Sequence, residues 1–220
     1  MPVRRMTRRK PMRRTRRKIV RRNKMARQIH KYKRVVNMGT YTASQSVVGG
    51  TVPARGAFSF NMNLLPNVSE YSSLYDQYKI TGVSVKFVPK TSGQFQGGSS
   101  GSANPIGYGQ VVSVIDFDDA ATPLTKDQML EYGSVKVTKS NREHKRFIKP
   151  KMLQEIFINS TTTGRAPIQA KWIDWSFPNA EHYGIKWFID APTVNNPLTD
   201  NSSIAYDAYA TFYFACKNTR

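Results

Sequence analysis

From Tyr206 to Phe214 the chain alternates strictly, with Tyr206, Ala208, Ala210, Phe212 and Phe214 on one side and Asp207, Tyr209, Thr211 and Tyr213 on the other. Successive side chains of an extended backbone point to opposite faces, so this period of two buries one row, an arrangement that helical spacing cannot produce. The segment reads as a strand with one face in a core. Phe58, Phe60 and Met62 alternate in the same way with Ser59 and Asn61, and Val83, Val85 and Phe87 with Ser84 and Lys86 until Pro89 stops the run. Val135 and Val137 alternate with Lys136 and Thr138. Val111 to Phe117 is more evenly apolar, as expected of a strand covered on both faces. Phe147 and Ile148 before Pro150, Ile156 to Ile158, Trp172 to Trp175 and Ile185 to Ile189 bring the series to eight or nine strands.

Helical signals are short. Asn67 with Glu70 and Thr125 with Gln128 each have capping-box spacing, predicting one or two turns over roughly 69–77 and 125–131. Gly93 to Gly109, with six glycines, reads as a long surface loop. Many strands with irregular connections favour an all-β Greek-key sandwich over a meander.

Charge divides the chain differently. Residues 1–34 hold 17 of the 34 Lys and Arg and none of the 14 Asp and Glu, so residues 35–220 carry 17 basic against 14 acidic side chains, a net of +3. The basic positions are Arg4, Arg5, Arg8, Arg9, Lys10, Arg13, Arg14, Arg16, Arg17, Lys18, Arg21, Arg22, Lys24, Arg27, Lys31, Lys33 and Arg34. The first acidic residue is Glu70, so the arm cannot neutralise itself and is expected to be disordered until it meets phosphate. Arg predominates, which suits bidentate phosphate contact. Such an arm binds by counterion release without reading base sequence, and its clusters also resemble nuclear localisation signals. The remaining 186 residues, 35–220, suffice for one domain with a sizeable core.

A second basic stretch lies within that domain. Lys136, Lys139, Arg142, Lys145, Arg146, Lys149 and Lys151 face Glu143 alone, a net of +6, leaving the rest of the domain near −3. Three readings fit: a folded surface for nucleic acid, a sulfated-glycan patch, or an edge kept basic against aggregation.

Other chemistries find little support. Cys216 is the only cysteine, which excludes a disulfide framework and a thiolate zinc site within one chain and makes a reducing compartment the default. It sits in the aromatic terminal strand, where a packed, inert thiol is expected. His30, His144 and His182 are scattered, and no nucleotide-binding glycine motif or nucleophile elbow occurs. Asp116, Asp118 and Asp119 cluster after a strand but lack the glycine turn and distal Glu of a calcium loop, so an acidic solvated turn is expected and no cofactor or metal. There is no apolar run long enough for a membrane span, nor a secretory signal. No constellation suggests an enzyme.

Leu74-Tyr75-Asp76-Gln77-Tyr78-Lys79-Ile80 running into Val83-Ser84-Val85-Lys86-Phe87-Val88-Pro89 resembles the capsid proteins of circoviruses and related small circular single-stranded DNA viruses. The Phe58–Asn63 strand and the aromatic strand from Tyr206 to Phe214 fall in corresponding order. The resemblance implies a single eight-stranded jelly-roll β-sandwich that assembles with itself into a small icosahedral T=1 shell, with the arm directed inward onto the genome. It also implies a virion protein that visits the host nucleus during assembly, with import receptors and a host-surface glycan or receptor as further partners. About 60 arms of +17 would supply on the order of 1,000 positive charges, enough to neutralise a substantial part of a small single-stranded genome. Two rivals stand beside this reading: the coat protein of a small RNA or satellite virus, and a non-assembling nucleic-acid-binding protein.

Overall fold

The computed structural model describes residues 28–46, 50–90, 109–118, 120–123, 125–158, 163–193 and 202–219. The strands are β1 (His30–Ser46), β2 (Gly50–Val52), β3 (Ala54–Phe60), β4 (Tyr75–Pro89), β5 (Gln110–Val114), β6 (Lys136–Lys139), β7 (His144–Ile148), β8 (Lys151–Ile158), β9 (Thr163–Gln169), β10 (Ile173–Asp174), β11 (His182–Ile189) and β12 (Ser202–Thr219). Helix α1 (Val68–Leu74) precedes β4, and α2 (Lys126–Leu130) lies between β5 and β6.

They form two antiparallel six-stranded sheets. In the first, β12 lies between β1 and β4, β2 continues past β1, and β7 and β10 share the outer edge of β4. In the second, β3 runs along one edge of β11, while β5 and β8 follow one another along the other, extended by β6 and β9 respectively. The orders β1-β12-β4-β7 and β3-β11-β5-β6 are the two halves of a jelly roll. The described strands number twelve rather than the expected eight, because β2, β8, β9 and β10 form within the connections. Of these four, β8 and β10 carry the expected Ile156–Ile158 and Trp172–Trp175 segments, whereas β2 and β9 had no counterpart in the alternation, because β2 is three residues long and β9 presents no buried row.

The core lies where the alternation placed it. Tyr206, Ala208, Ala210, Phe212 and Phe214 are buried along β12, opposite Phe87, Val85, Val83 and Ile80 of β4. From the other sheet Phe58, Phe60, Ile185, Trp187 and Ile189 meet them. Val111 of β5 joins this core, whereas Val112 and Val114 face the other way and pack with Phe188 under Met129 of α2. That second layer explains why apolar residues stand on both faces of β5, although the strand ends at Val114 and not Phe117.

The Thr125 box forms, with Gln128 N donating to Thr125 Oγ1 (3.3 Å) and Thr125 N donating to Gln128 Oε1 (3.2 Å). Asn67 makes no side-chain cap, and α1 stops at Leu74, where β4 begins at Tyr75 and goes on to bury Tyr78 and Ile80 at strand spacing. Met62 leaves the strand to start a short 3₁₀ turn. Cys216 is fully buried, and burial pushes its thiol up to about 12.

Candidate nucleic-acid interface

Of the arm positions, Arg4 to Arg27 lie outside the described residues. Lys31, Lys33 and Arg34 do not continue the arm; they stand on β1, which begins at His30 and pairs with β12 from its first residue. Tyr32 causes this. Its ring stacks on Phe214 (5.4 Å between centroids) and meets Tyr71 edge-on (5.2 Å), an aromatic burial that ties the end of a basic sequence to the sandwich.

The register of β1, β12, β4 and β7 then composes the outer face of the first sheet. One row runs Asn37, Tyr209, Lys86, Lys145; the next Val35, Thr211, Ser84, Phe147; the next Lys33, Tyr213, Gly82; and beyond it Lys31, Ala215, Lys79. Lys33 Nζ lies over the Tyr213 ring (5.9 Å to the centroid), and Lys217 over Trp172 (4.5 Å). Phe147 lies edge-on to Tyr213 at 6.1 Å. It can lie flat across the sheet only because position 82 is glycine: a Cβ there would stand 2.7 Å from Phe147 Cζ. The carboxylates on this side are engaged, Glu143 with Lys86 (2.6 Å) and Asp207 with Lys90 (3.1 Å) and the Thr40 hydroxyl (2.6 Å). The result is a lysine-rich face interleaved with aromatic rings, continuous with the strand that carries the arm.

The basic stretch 136–151 is not one surface. β6 is the edge of the second sheet and β7 an edge of the first, so the run crosses between sheets along one side of the sandwich. Lys145 joins the face just described. Lys136 Nζ donates to the Lys145 carbonyl (2.7 Å), and the half-buried Arg146 donates to the Ser134 carbonyl, so both hold the two edges together. Lys139 and Arg142 are exposed beside the turn. Lys149 and Lys151 border a cavity, where Lys151 Nζ lies 4.4 Å above the Phe117 ring. Between the edges sits His144, fully buried, with Nε2 2.7 Å from Ser113 Oγ and Nδ1 2.9 Å from Thr138 Oγ1. Burial, with the charges of Lys136 and Arg146, lowers its pKa to about 4, so the ring is neutral at ordinary pH.

Asp116 has a structural partner. Its carboxylate accepts from Lys186 Nζ (2.8 Å), the Tyr132 hydroxyl (3.0 Å) and the Asp118 backbone N–H (3.0 Å). Burial works to raise its pKa, but these donors outweigh it and hold the carboxyl below its usual range. Asp119 lies outside the described residues, and among those described no three His, Cys, Asp or Glu side chains gather as a metal site.

Lys79, Lys86, Lys217, Tyr209, Tyr213 and Phe147 were not singled out as site residues from sequence. A signal existed: Tyr209 and Tyr213 fall on the polar row of β12, where aromatic rings are out of place unless something meets them.

A family model described as "Circovirus capsid protein" matches residues 2–220. No curated protein matches the sequence. Among solved structures, the 60-mer BFDV capsid protein matches with TM-score 0.62 at 16% identity, over 88% of this chain and 95% of that one. The decameric BFDV capsid protein matches with TM-score 0.53 at 17% identity, over 86% of this chain and 100% of that one. The fold agreement with these jelly rolls and the family match along nearly the whole sequence converge: the chain belongs to the circovirus capsid protein family, structural coat proteins of the virion and not enzymes.

Proposed function

We propose that this chain assembles with itself into a small icosahedral shell of about 60 copies and packages circular single-stranded DNA through its arm and the outer face of the first sheet. Assembly is supported by family membership and by the fold shared with the 60-mer BFDV capsid protein. The observation that carries the packaging reading is the junction itself: β1 delivers a segment with no acidic residue onto a face bearing Lys31, Lys33, Lys79, Lys86 and Lys145. Lys86 and Lys145 stand directly opposite one another, a like-charge pairing that costs stability unless an anion intervenes. Glu143 offsets one of them, and a phosphate over the row offsets both. The arm's Arg-rich clusters also address the chain to nuclear import receptors, and exposed Lys139 and Arg142 offer a sulfated glycan two cations.

Titration of single-stranded DNA against the full-length protein over a salt series tests this. Replacing the Arg and Lys of residues 4–27 by Gln should flatten the slope of log affinity against log salt severalfold. An unchanged slope rejects the arm reading. Electron microscopy of the expressed protein should show closed particles of uniform size, and sequencing the nucleic acid inside them identifies DNA or RNA.

A further inference from the structure

A cavity of about 650 Å³ opens beside the same face, at the seam between the sheets where β7 runs into β8. Its walls include the rings of Phe117 and Phe147 and the side chain of Ile115, and its border carries Lys79, Lys149 and Lys151, with no carboxylate among the lining residues. Phe147 belongs to two places at once. It is 54% exposed, forms one wall of the cavity, and touches Tyr213 on the outer face. A line of contacts therefore runs from Lys33 over Tyr213, across Phe147 and into the cavity.

The backbone beside it is also open. Tyr78 of β4 pairs with Ile173 of β10 and Val83 with Ile148 of β7, so between them the outer edge of β4 passes the cavity with no strand beside it among the described residues. Peptide N–H and C=O groups there can meet the polar edge of a flat ring. An apolar, aromatic-walled recess of this volume suits a small ring ligand, and three bordering lysines without a carboxylate suit one carrying phosphate. Stacking on aromatic side chains beside a cationic track is how single strands are held without reading their sequence.

We propose that this cavity receives one base of the packaged single strand, seated against Phe147 and Phe117, with its flanking phosphates on Lys79, Lys149 and Lys151. The inference rests on the DNA-binding reading above and adds a base-dependent component to it. An arm alone responds to phosphate charge, whereas this recess responds to the presence of a base.

The test uses the full-length protein and two labelled probes of equal length, an oligothymidylate and an abasic deoxyribose-phosphate oligomer. Phe147→Leu keeps an apolar side chain but removes the stacking ring; it should weaken oligothymidylate binding about five- to tenfold and leave abasic binding unchanged. Lys149→Gln and Lys151→Gln should each reduce the salt slope by about one for both probes. Photo-crosslinking of a 5-bromodeoxyuridine oligomer to the unaltered protein should place adducts at Phe147 or Phe117, a result independent of how the variants fold. Equal weakening of both probes by Phe147→Leu, no weakening of either, or crosslinks from these rings to a peptide of a second copy would each overturn the base site while leaving DNA binding intact. Failure of the unaltered protein to bind either probe would instead sink the packaging reading on which the site rests.

Discussion

Tyr32 of β1 stacks on Phe214 of β12 with ring centroids 5.4 Å apart, and this one contact marks where a basic tether becomes part of a folded sheet. Charge composition drew that boundary after Arg34, but aromatic burial draws it before His30. The difference changes how the arm must be removed in any experiment.

Deleting residues 1–27 should leave thermal stability nearly unchanged, because β1 and its pairing with β12 stay whole. Deleting residues 1–34 removes Tyr32 and the first five residues of β1, uncovering Phe214 and Tyr71. Tyr32→Ala alone should cost about 2 kcal/mol, less than a fully buried aromatic, and lower Tm by roughly 4–8 °C. Differential scanning calorimetry of the three variants checks the boundary; equal melting of both truncations would refute it.

The Asp116 and Lys186 side chains are paired at 2.8 Å in a nearly buried setting. Asp116→Ala leaves the ammonium without its main partner and should destabilise by about 3–5 kcal/mol, whereas pairing it with Lys186→Met should recover most of the loss. The folded pKa of Asp116 is depressed, so its contribution is present above the ordinary carboxyl pKa and is lost as pH falls through the folded value. Urea midpoints of the single and double variants at neutral pH, and of the unaltered protein below pH 4, measure both effects.

His144 behaves in the opposite chemical sense with the same pH direction. Its folded pKa, lowered to about 4 chiefly by burial, lies below the unfolded value near 6.5, so the unfolded chain binds the proton first. Stability is fully present above about pH 6.5 and declines as pH falls toward 4, by up to about 3 kcal/mol. His144→Gln should flatten this part of the urea-stability profile between pH 4 and 6.5. A profile as steep as that of the unaltered protein would show that His144 is not responsible.

Gly56 of β3 lies opposite Trp187 of β11, and a Cβ at position 56 would stand 2.8 Å from Trp187 Cζ2. Trp187 is buried and cannot swing away, so Gly56→Ala should cost about 1–3 kcal/mol through overpacking. The cost should shrink in a Trp187→Phe background, which a double-mutant cycle of thermal melts reads directly.

Much of the fold was legible in the residues. The buried row of β12, the alternation of β4 up to Pro89, the doubly covered β5 and the Thr125 capping box are each set by neighbours within a few positions, where period and local hydrogen bonding speak for themselves. The long strand β1 was obscured because Lys31, Lys33 and Arg34 share it with Tyr32, and charge density outweighed a single aromatic residue in the reading. Strand β9 follows the same logic, since it gains its identity by pairing with β8 and not from a buried stripe of its own.

The candidate interface divides along the same line. Sequence alone determined that this is a β-sandwich with a highly basic, acid-free N-terminal segment, because both properties are sums over local composition and spacing. Only the tertiary structure decided that Lys33, Tyr213 and Phe147, drawn from β1, β12 and β7, lie in one line over Gly82, and that Lys136 and Arg146 serve to join edges instead of facing outward. Register between distant strands is fixed by the whole core at once, so no local pattern announces which exposed residues will become neighbours.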